Sequence, residues 1–175
     1  MKRFLLVAAM LFASQEAFAM DLSSPDIAPG AAISMPQVYR DCRGSNISPA
    51  LNWTGVPKEA KSLALTMYDT TVPGGFWHWI VYDIPTNVAG LAKGAGDKRG
   101  KNLPPGAKQA TNSFGATEYD GPCPPAGPAH HYVFTLWGLD VTNVDPNYVG
   151  NSGWFESYLH RHAMAKAVFE GTFAR

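Results

Sequence analysis

Charge of one sign, a second long hydrophobic run and a supply of cysteine are all missing from this chain. Its 175 residues carry 14 Lys and Arg against 14 Asp and Glu, so there is no basic excess to hold nucleic acid or a membrane surface. Beyond the N-terminus no stretch is long and apolar enough for a membrane helix. Ser113 lacks the G-x-S-x-G frame of a nucleophile elbow, so a serine hydrolase is not read. No internal repeat, coiled coil or second-domain boundary is visible. Only Cys42 and Cys123 offer thiols.

What is present begins with an export signal. Lys2-Arg3 forms a basic n-region, residues 4–12 an apolar core, and Ala17-Phe18-Ala19 an A-x-A cleavage site before Met20. The reading is therefore residues 1–19 as signal peptide and 20–175 as one domain, periplasmic or secreted after cleavage, with no transmembrane segment. Cleavage removes Lys2, Arg3 and Glu16, leaving twelve basic against thirteen acidic residues. In an oxidising compartment an even pair of cysteines reads as a disulfide between Cys42 and Cys123. The sharper alternative, a Cys123–His130 nucleophile pair, is disfavoured by export.

The most informative stretch runs from Gly121-Pro122-Cys123-Pro124-Pro125 to His130-His131-Tyr132 and on to Trp137. Proline fixes φ and removes a donor, so this loop holds one shape at low entropic cost before a strand begins. In that strand His130, Tyr132, Phe134 and Leu136 share one face, and His131, Val133, Thr135 and Trp137 the other. A polar pair topping an apolar face suits the floor of a pocket.

Residues 62–69 read as a second strand with Leu63, Leu65, Met67 and Asp69 on one face. A link holding Pro73-Gly74-Gly75 leads to a third strand over 76–84, rich in aromatic and β-branched residues. So short a link implies an antiparallel pair, which brings Asp69 and His78 to the same end of the sheet. Strict alternation would place His78 on the face of Phe76, Ile80 and Tyr82. Residues 22–38 predict a short strand or two, and 168–173 a last short strand. Over 88–115 Lys93, Lys98, Arg99, Lys101 and Lys108 face one acid, Asp97. This is a solvated loop or a local positive field for an anion. Phe155, Leu159, His162 and Ala163 predict a helix packed on the sheet, with His162 either bonded to backbone or facing the pocket.

Assembled, these residues resemble the phosphatidylethanolamine-binding protein family, in its bacterial Raf-kinase-inhibitor-like (YbhB/YbcL-type) branch. The resemblance rests on several motifs in order: Asn46-Ile47-Ser48-Pro49-Ala50-Leu51-Asn52-Trp53; Tyr68-Asp69 with Pro73; His78-Trp79-Ile80-Val81-Tyr82-Asp83-Ile84-Pro85; the stretch 119–132; and His162-Ala163-Met164-Ala165-Lys166-Ala167 with Gly171-Thr172-Phe173. It implies a mainly β fold, a large antiparallel sheet packed on a smaller one with a C-terminal helix near the pocket. It also implies a pocket for small anionic or phosphorylated ligands such as a phospholipid head group, formed by Asp69, His78, His130 and Tyr132 with Pro73, Gly121 and Pro122 as wall. The family commonly carries Asp-Pro-Asp-x-Pro where this chain has Asp69-Thr70-Thr71-Val72-Pro73, so Thr71 replaces a second carboxylate.

The functional expectation is a binding or inhibitory module, not an enzyme, with no cofactor and with a small anion or a protein such as a protease as partner. Histidine N–H groups and the Tyr132 hydroxyl would donate to anionic oxygens, and Asp69 would orient a histidine and favour its protonated form. Two other readings compete. Asp69, His78 and His130 are also a set that holds iron or zinc in hydrolases, and a secreted effector would act through its surface instead.

Overall fold

The computed structural model describes residues 19–150 and 152–175, the side chain of Ser152 excepted; the expected signal peptide, residue 19 apart, lies outside the described residues. Among the described residues eight strands form two antiparallel sheets. The small sheet pairs β1 (Asp21–Ser23), β2 (Leu51–Thr54) and β5 (Gly90–Leu91) in the order β1-β2-β5. The large sheet holds β3 (Ser62–Asp69), β4 (Phe76–Ile84), β6 (Lys108–Gln109), β7 (His130–Leu139) and β8 (Ala163–Phe173), in the order β6-β4-β3-β7-β8. Alternation decides which residues enter the core: in β2, Leu51 and Trp53 are buried while Asn52 and Thr54 are exposed.

Two apolar layers result. Between the sheets, Leu22, Leu51, Trp53 and Leu91 meet Leu63, Leu65, Met67, Phe134 and Leu136. On the far face of the large sheet, Ala64, Trp77, Ile80 and Trp137 are covered by helix α2 (Ser152–His162) through Phe155, Tyr158 and Leu159. The short helix α1 (Pro146–Val149) precedes it, its first turn capped by the Asp145 carboxylate accepting from Asn147 N at 2.9 Å. The expected C-terminal helix is thus present. It supports the large sheet from the face opposite the pocket residues, because its apolar stripe matches the face carrying Trp77 and Trp137. No described helix is long and apolar enough to cross a membrane.

Three local expectations need correction. The last strand begins at Ala163 rather than Val168 and spans eleven residues, because it pairs with β7 along its whole length. His162 neither bonds backbone nor faces the pocket. Its Nδ1 meets Asp140 Oδ1 at 2.8 Å and its ring lies 4.3 Å from that of Tyr158. The third correction concerns β4. Met67 pairs with Trp79 but Tyr68 pairs with Trp77, so β4 carries one extra residue there, a β-bulge. Beyond it Trp79 and Val81 face the small sheet, while Ile80 and Tyr82 face the helix. His78 is therefore not on the face of Ile80 and Tyr82; the bulge turns it toward Tyr132, ring centroids 5.1 Å apart.

Candidate functional site

The bulge matters because it completes a cavity at the open end of the large sheet. Asp69 ends β3, His130 and Tyr132 begin β7, and Asp69 and Tyr132 are register partners. With His78 these four line a cavity of about 320 Å³. Its remaining walls are apolar: Val72, Phe76 and Phe114 on one side, Cys123, Pro124 and Pro125 on the other. Pro73, Gly121 and Pro122, expected as wall, are not among the lining residues; their neighbours Val72 and Cys123 to Pro125 take that place. Gly121 and Pro122 instead fasten the loop. Gly121 N donates to Asn46 Oδ1 at 2.7 Å, and Pro122 O accepts from Tyr39 N at 3.0 Å. A side chain at Gly121 would meet the Gln37 carbonyl oxygen at 1.9 Å, so only glycine lets the two segments approach this closely.

Each polar group has a defined partner. Asp69 is buried, and its oxygens accept from His130 Nδ1 at 2.7 Å and Thr71 N at 2.8 Å. The carboxylate is therefore satisfied within the protein and fixes the His130 ring, leaving Nε2 as the ring nitrogen for a ligand. Thr71 does more than delete a charge: its hydroxyl accepts from His131 N at 2.9 Å and locks the turn onto β7. Burial first, then the charge of the Asp69 carboxylate and a hydrogen bond to it, hold the Tyr132 phenol well above its ordinary range, so it stays neutral.

His78 is set differently. Its Nδ1–H donates to the Asp120 carbonyl at 2.6 Å. Burial pushes its pKa below the ordinary 6.5, against the opposing pull of the Asp120 carbonyl and the Asp69 and Asp120 carboxylates. The ring is thus neutral near pH 7, with Nε2 an acceptor. The imidazole Asp69 serves is that of His130.

This yields an expected pH effect. The unfolded chain takes up a proton on His78 before the folded one does, so stability from this group is complete above about pH 6.5 and is lost as pH falls below it. Urea denaturation between pH 7.5 and 5 should show a declining stability whose slope is reduced in His78→Gln. Identical slopes in both proteins would remove His78 as a source.

Behind the cavity lies a buried polar cluster that the sequence did not advertise. Asn46 donates through Nδ2 to Tyr119 O at 2.9 Å and Asp120 Oδ1 at 3.2 Å. Asn112 Nδ2 bonds Asp120 Oδ2 at 2.8 Å, and its Oδ1 accepts from Phe114 N at 2.9 Å. These bonds hold the Asp120 carbonyl on His78 and present Phe114 at the mouth, where it stacks on Tyr39 and meets Phe76 edge-on at centroid distances of 5.1 and 4.9 Å. Nothing in the sequence shows Asn46 and Asn112 both reaching the same aspartate. Ser113 accepts from Trp77 N at 2.9 Å, a structural task. The expected disulfide links Cys42 and Cys123, Cα atoms 5.5 Å apart.

Chemically, the cavity combines two imidazoles, a phenol and one internally satisfied carboxylate within apolar walls. The hydrolase alternative required Asp69, His78 and His130 to converge as metal ligands. Asp69 is committed to His130, and among the described residues no three His, Cys, Asp or Glu are arranged to hold a metal ion.

The comparisons with known proteins agree with this architecture. The sequence profile of the phosphatidylethanolamine-binding protein family matches residues 23–174. The chain belongs to that family. Among its members, YbcL of Escherichia coli K12 is 39% identical over 87% of this chain and 86% of its own length. The crystal structure of YbcL, described as a new member of the mammalian PEBP family, superposes with a TM-score of 0.85 at 34% identity, covering 89% of this chain and 98% of that one. A Mycobacterium tuberculosis relative named as a candidate lipoprotein, LppC, is 40% identical over 88% of this chain and 72% of its own length. The bacterial branch expected from the motifs is therefore the correct one within the phosphatidylethanolamine-binding protein family.

Proposed function

We propose that this chain is an exported binding protein whose cavity takes a small oxyanion of the phosphate or phosphorylated head-group type, and that it acts as a binding or inhibitory module rather than as a catalyst. The observation that carries this reading is the state of Asp69. With both oxygens occupied by His130 and Thr71 N, it leaves Nε2 of His130 for a ligand, a donor in the imidazolium form, instead of repelling an anion. The neutral Tyr132 phenol supplies a second donor by turning its hydroxyl from Asp69 to the ligand, and neutral His78 supplies an acceptor. A partly protonated oxyanion matches that set, accepting from Nε2–H of the His130 imidazolium and from Tyr132 while donating to His78. No lysine or arginine lines the cavity, so a highly charged ligand would gain no neutralisation there. Phe76, Phe114 and the prolines tolerate an apolar substituent on the ligand.

Export is supported by the n-region, apolar core and A-x-A site, by the disulfide, and by the relationship to the candidate lipoprotein LppC. Calorimetric titration with inorganic phosphate tests the binding reading. Affinity should fall at least about tenfold in His130→Ala and in Asp69→Asn, the latter because the ring loses its orientation. Unchanged phosphate binding in both folded variants would refute the assignment of this cavity.

A further inference from the structure

The cavity just described uses none of the basic residues between 88 and 115. Lys98 and Arg99 border a second cavity instead, of about 470 Å³, which Arg40 reaches from the 3-10 turn Arg40–Cys42. Its floor is built from buried polar residues: Ser48 is 1% exposed and Asn46 8%. Ser48 holds the overlying loop twice, its carbonyl accepting from Gly94 N and its hydroxyl from Gly96 N, both at 2.9 Å. Gly96 is packed without slack, since a Cβ there would lie 2.5 Å from that of Tyr119 and 3.0 Å from the Trp79 ring. The loop carrying Lys98 and Arg99 is therefore anchored to the core.

The charges at the rim are not neutralised as they are elsewhere in this loop. Lys93 pairs with Asp26 at 2.7 Å and Lys108 with Asp83 at 3.0 Å. Among the described residues Arg40, Lys98 and Arg99 have no carboxylate within ion-pair distance. Asp97 and Glu118 also border the cavity, but Asp97 Oδ1 is engaged by Arg99 N at 2.7 Å, which fixes the turn. Three cations against two carboxylates leave the rim positive, and the cations come from two separate segments. A ligand with one anionic group can engage one segment; a ligand with two can bridge both, with each guanidinium offering a planar fork of donors. The volume suits a small molecule.

We infer that this cavity is a second binding site, for a small soluble ligand carrying two or more neighbouring anionic groups. The site is independent of the His130 cavity, and the test is built on that independence. Pyrophosphate and tricarballylate, a phosphate and a carboxylate probe, are titrated at constant ionic strength into His130→Ala, into the same protein with Arg40→Ala and Arg99→Ala added, and into His130→Ala with exposed Lys58→Ala. At least one probe should bind His130→Ala and shift the amide resonances of Gly94 and Gly96. Whichever probe binds identifies the anion chemistry. The two arginine substitutions should weaken that binding at least about tenfold, while Lys58→Ala leaves it unchanged. Arg40 and Arg99 are exposed, so melting temperatures should match across the set. The inference is overturned if neither probe binds His130→Ala, or if the arginine and lysine substitutions weaken binding equally, which is the signature of overall charge.

Discussion

Replacing Cys42 and Cys123 together by serine is expected to cost about 4.5 kcal/mol of stability, the chain-entropy value for a loop of this length. The bond joins residues 81 apart in sequence, so the unfolded chain regains much freedom when it is removed. The native state loses something as well. Cys123 lines the ligand cavity with Pro124 and Pro125, and the bond ties that wall to the 3-10 turn Arg40–Cys42. Other ties between the two segments include the Tyr39 N to Pro122 O bond, the Tyr119 hydroxyl to Gln37 O bond and the Asn46 contacts to Tyr119, Asp120 and Gly121. Urea denaturation of the serine variant, beside wild type with and without reductant, measures the first effect. Phosphate titration well below the melting temperature measures the second, which should appear as weaker binding by folded protein. A stability loss under about 1 kcal/mol would mean the denatured chain stays compact without the bond.

Asn46→Ala is expected to cost about 3 kcal/mol, although Asn46 lines neither wall of the His130 cavity. Its side chain makes three buried contacts, to Tyr119 O, Asp120 Oδ1 and Gly121 N. Truncation strands these groups away from water, and an unmade buried hydrogen bond costs more than a made one contributes. Asn46 also has φ 55°, in the left-handed region that asparagine tolerates better than alanine. Asn46→Gly removes the backbone term and leaves the polar one, so the glycine variant should be the more stable of the two by roughly 1 kcal/mol. Hydrogen exchange reads the mechanism directly: Gly121 N–H should lose its protection in both variants. Because the same loop holds the Asp120 carbonyl on His78, phosphate affinity should fall in parallel. Retained protection at Gly121 would show that the loop is held by other means.

Much of this molecule is legible in its sequence because strand periodicity is a local property. The two faces of β7 follow from alternation between His130 and Trp137, and those of β3 from Leu63 to Asp69; the division of side chains between the two core layers agrees at both. The link through Pro73-Gly74-Gly75 is too short for anything but an antiparallel return, which brings Asp69 near His78. Two cysteines in a chain expected to be exported leave one pairing, and it is formed. The family motifs, spread from Asn46 to Phe173, could be read in order.

What the tertiary structure alone decided are features in which residues distant in sequence set one another's geometry. The bulge at His78 lies where the pairing of β3 with β4 shifts register between Met67 and Tyr68; alternation within β4 has no sign of it and puts His78 on the wrong face. The partner of Asp69 depended on which imidazole reached it, and the answer, His130, lies 61 residues away. Asn46 and Asn112 meet on the Asp120 carboxylate through contacts that composition and spacing do not encode. The wall of the cavity falls beside the expected Pro73, Gly121 and Pro122, at Val72 and at Cys123 to Pro125, and Gly121 and Pro122 are used to fasten the loop. Period and composition determined the strands, their faces and the family; the site itself was decided by pairing register and loop docking, where a shift of one residue changes which atoms face the cavity.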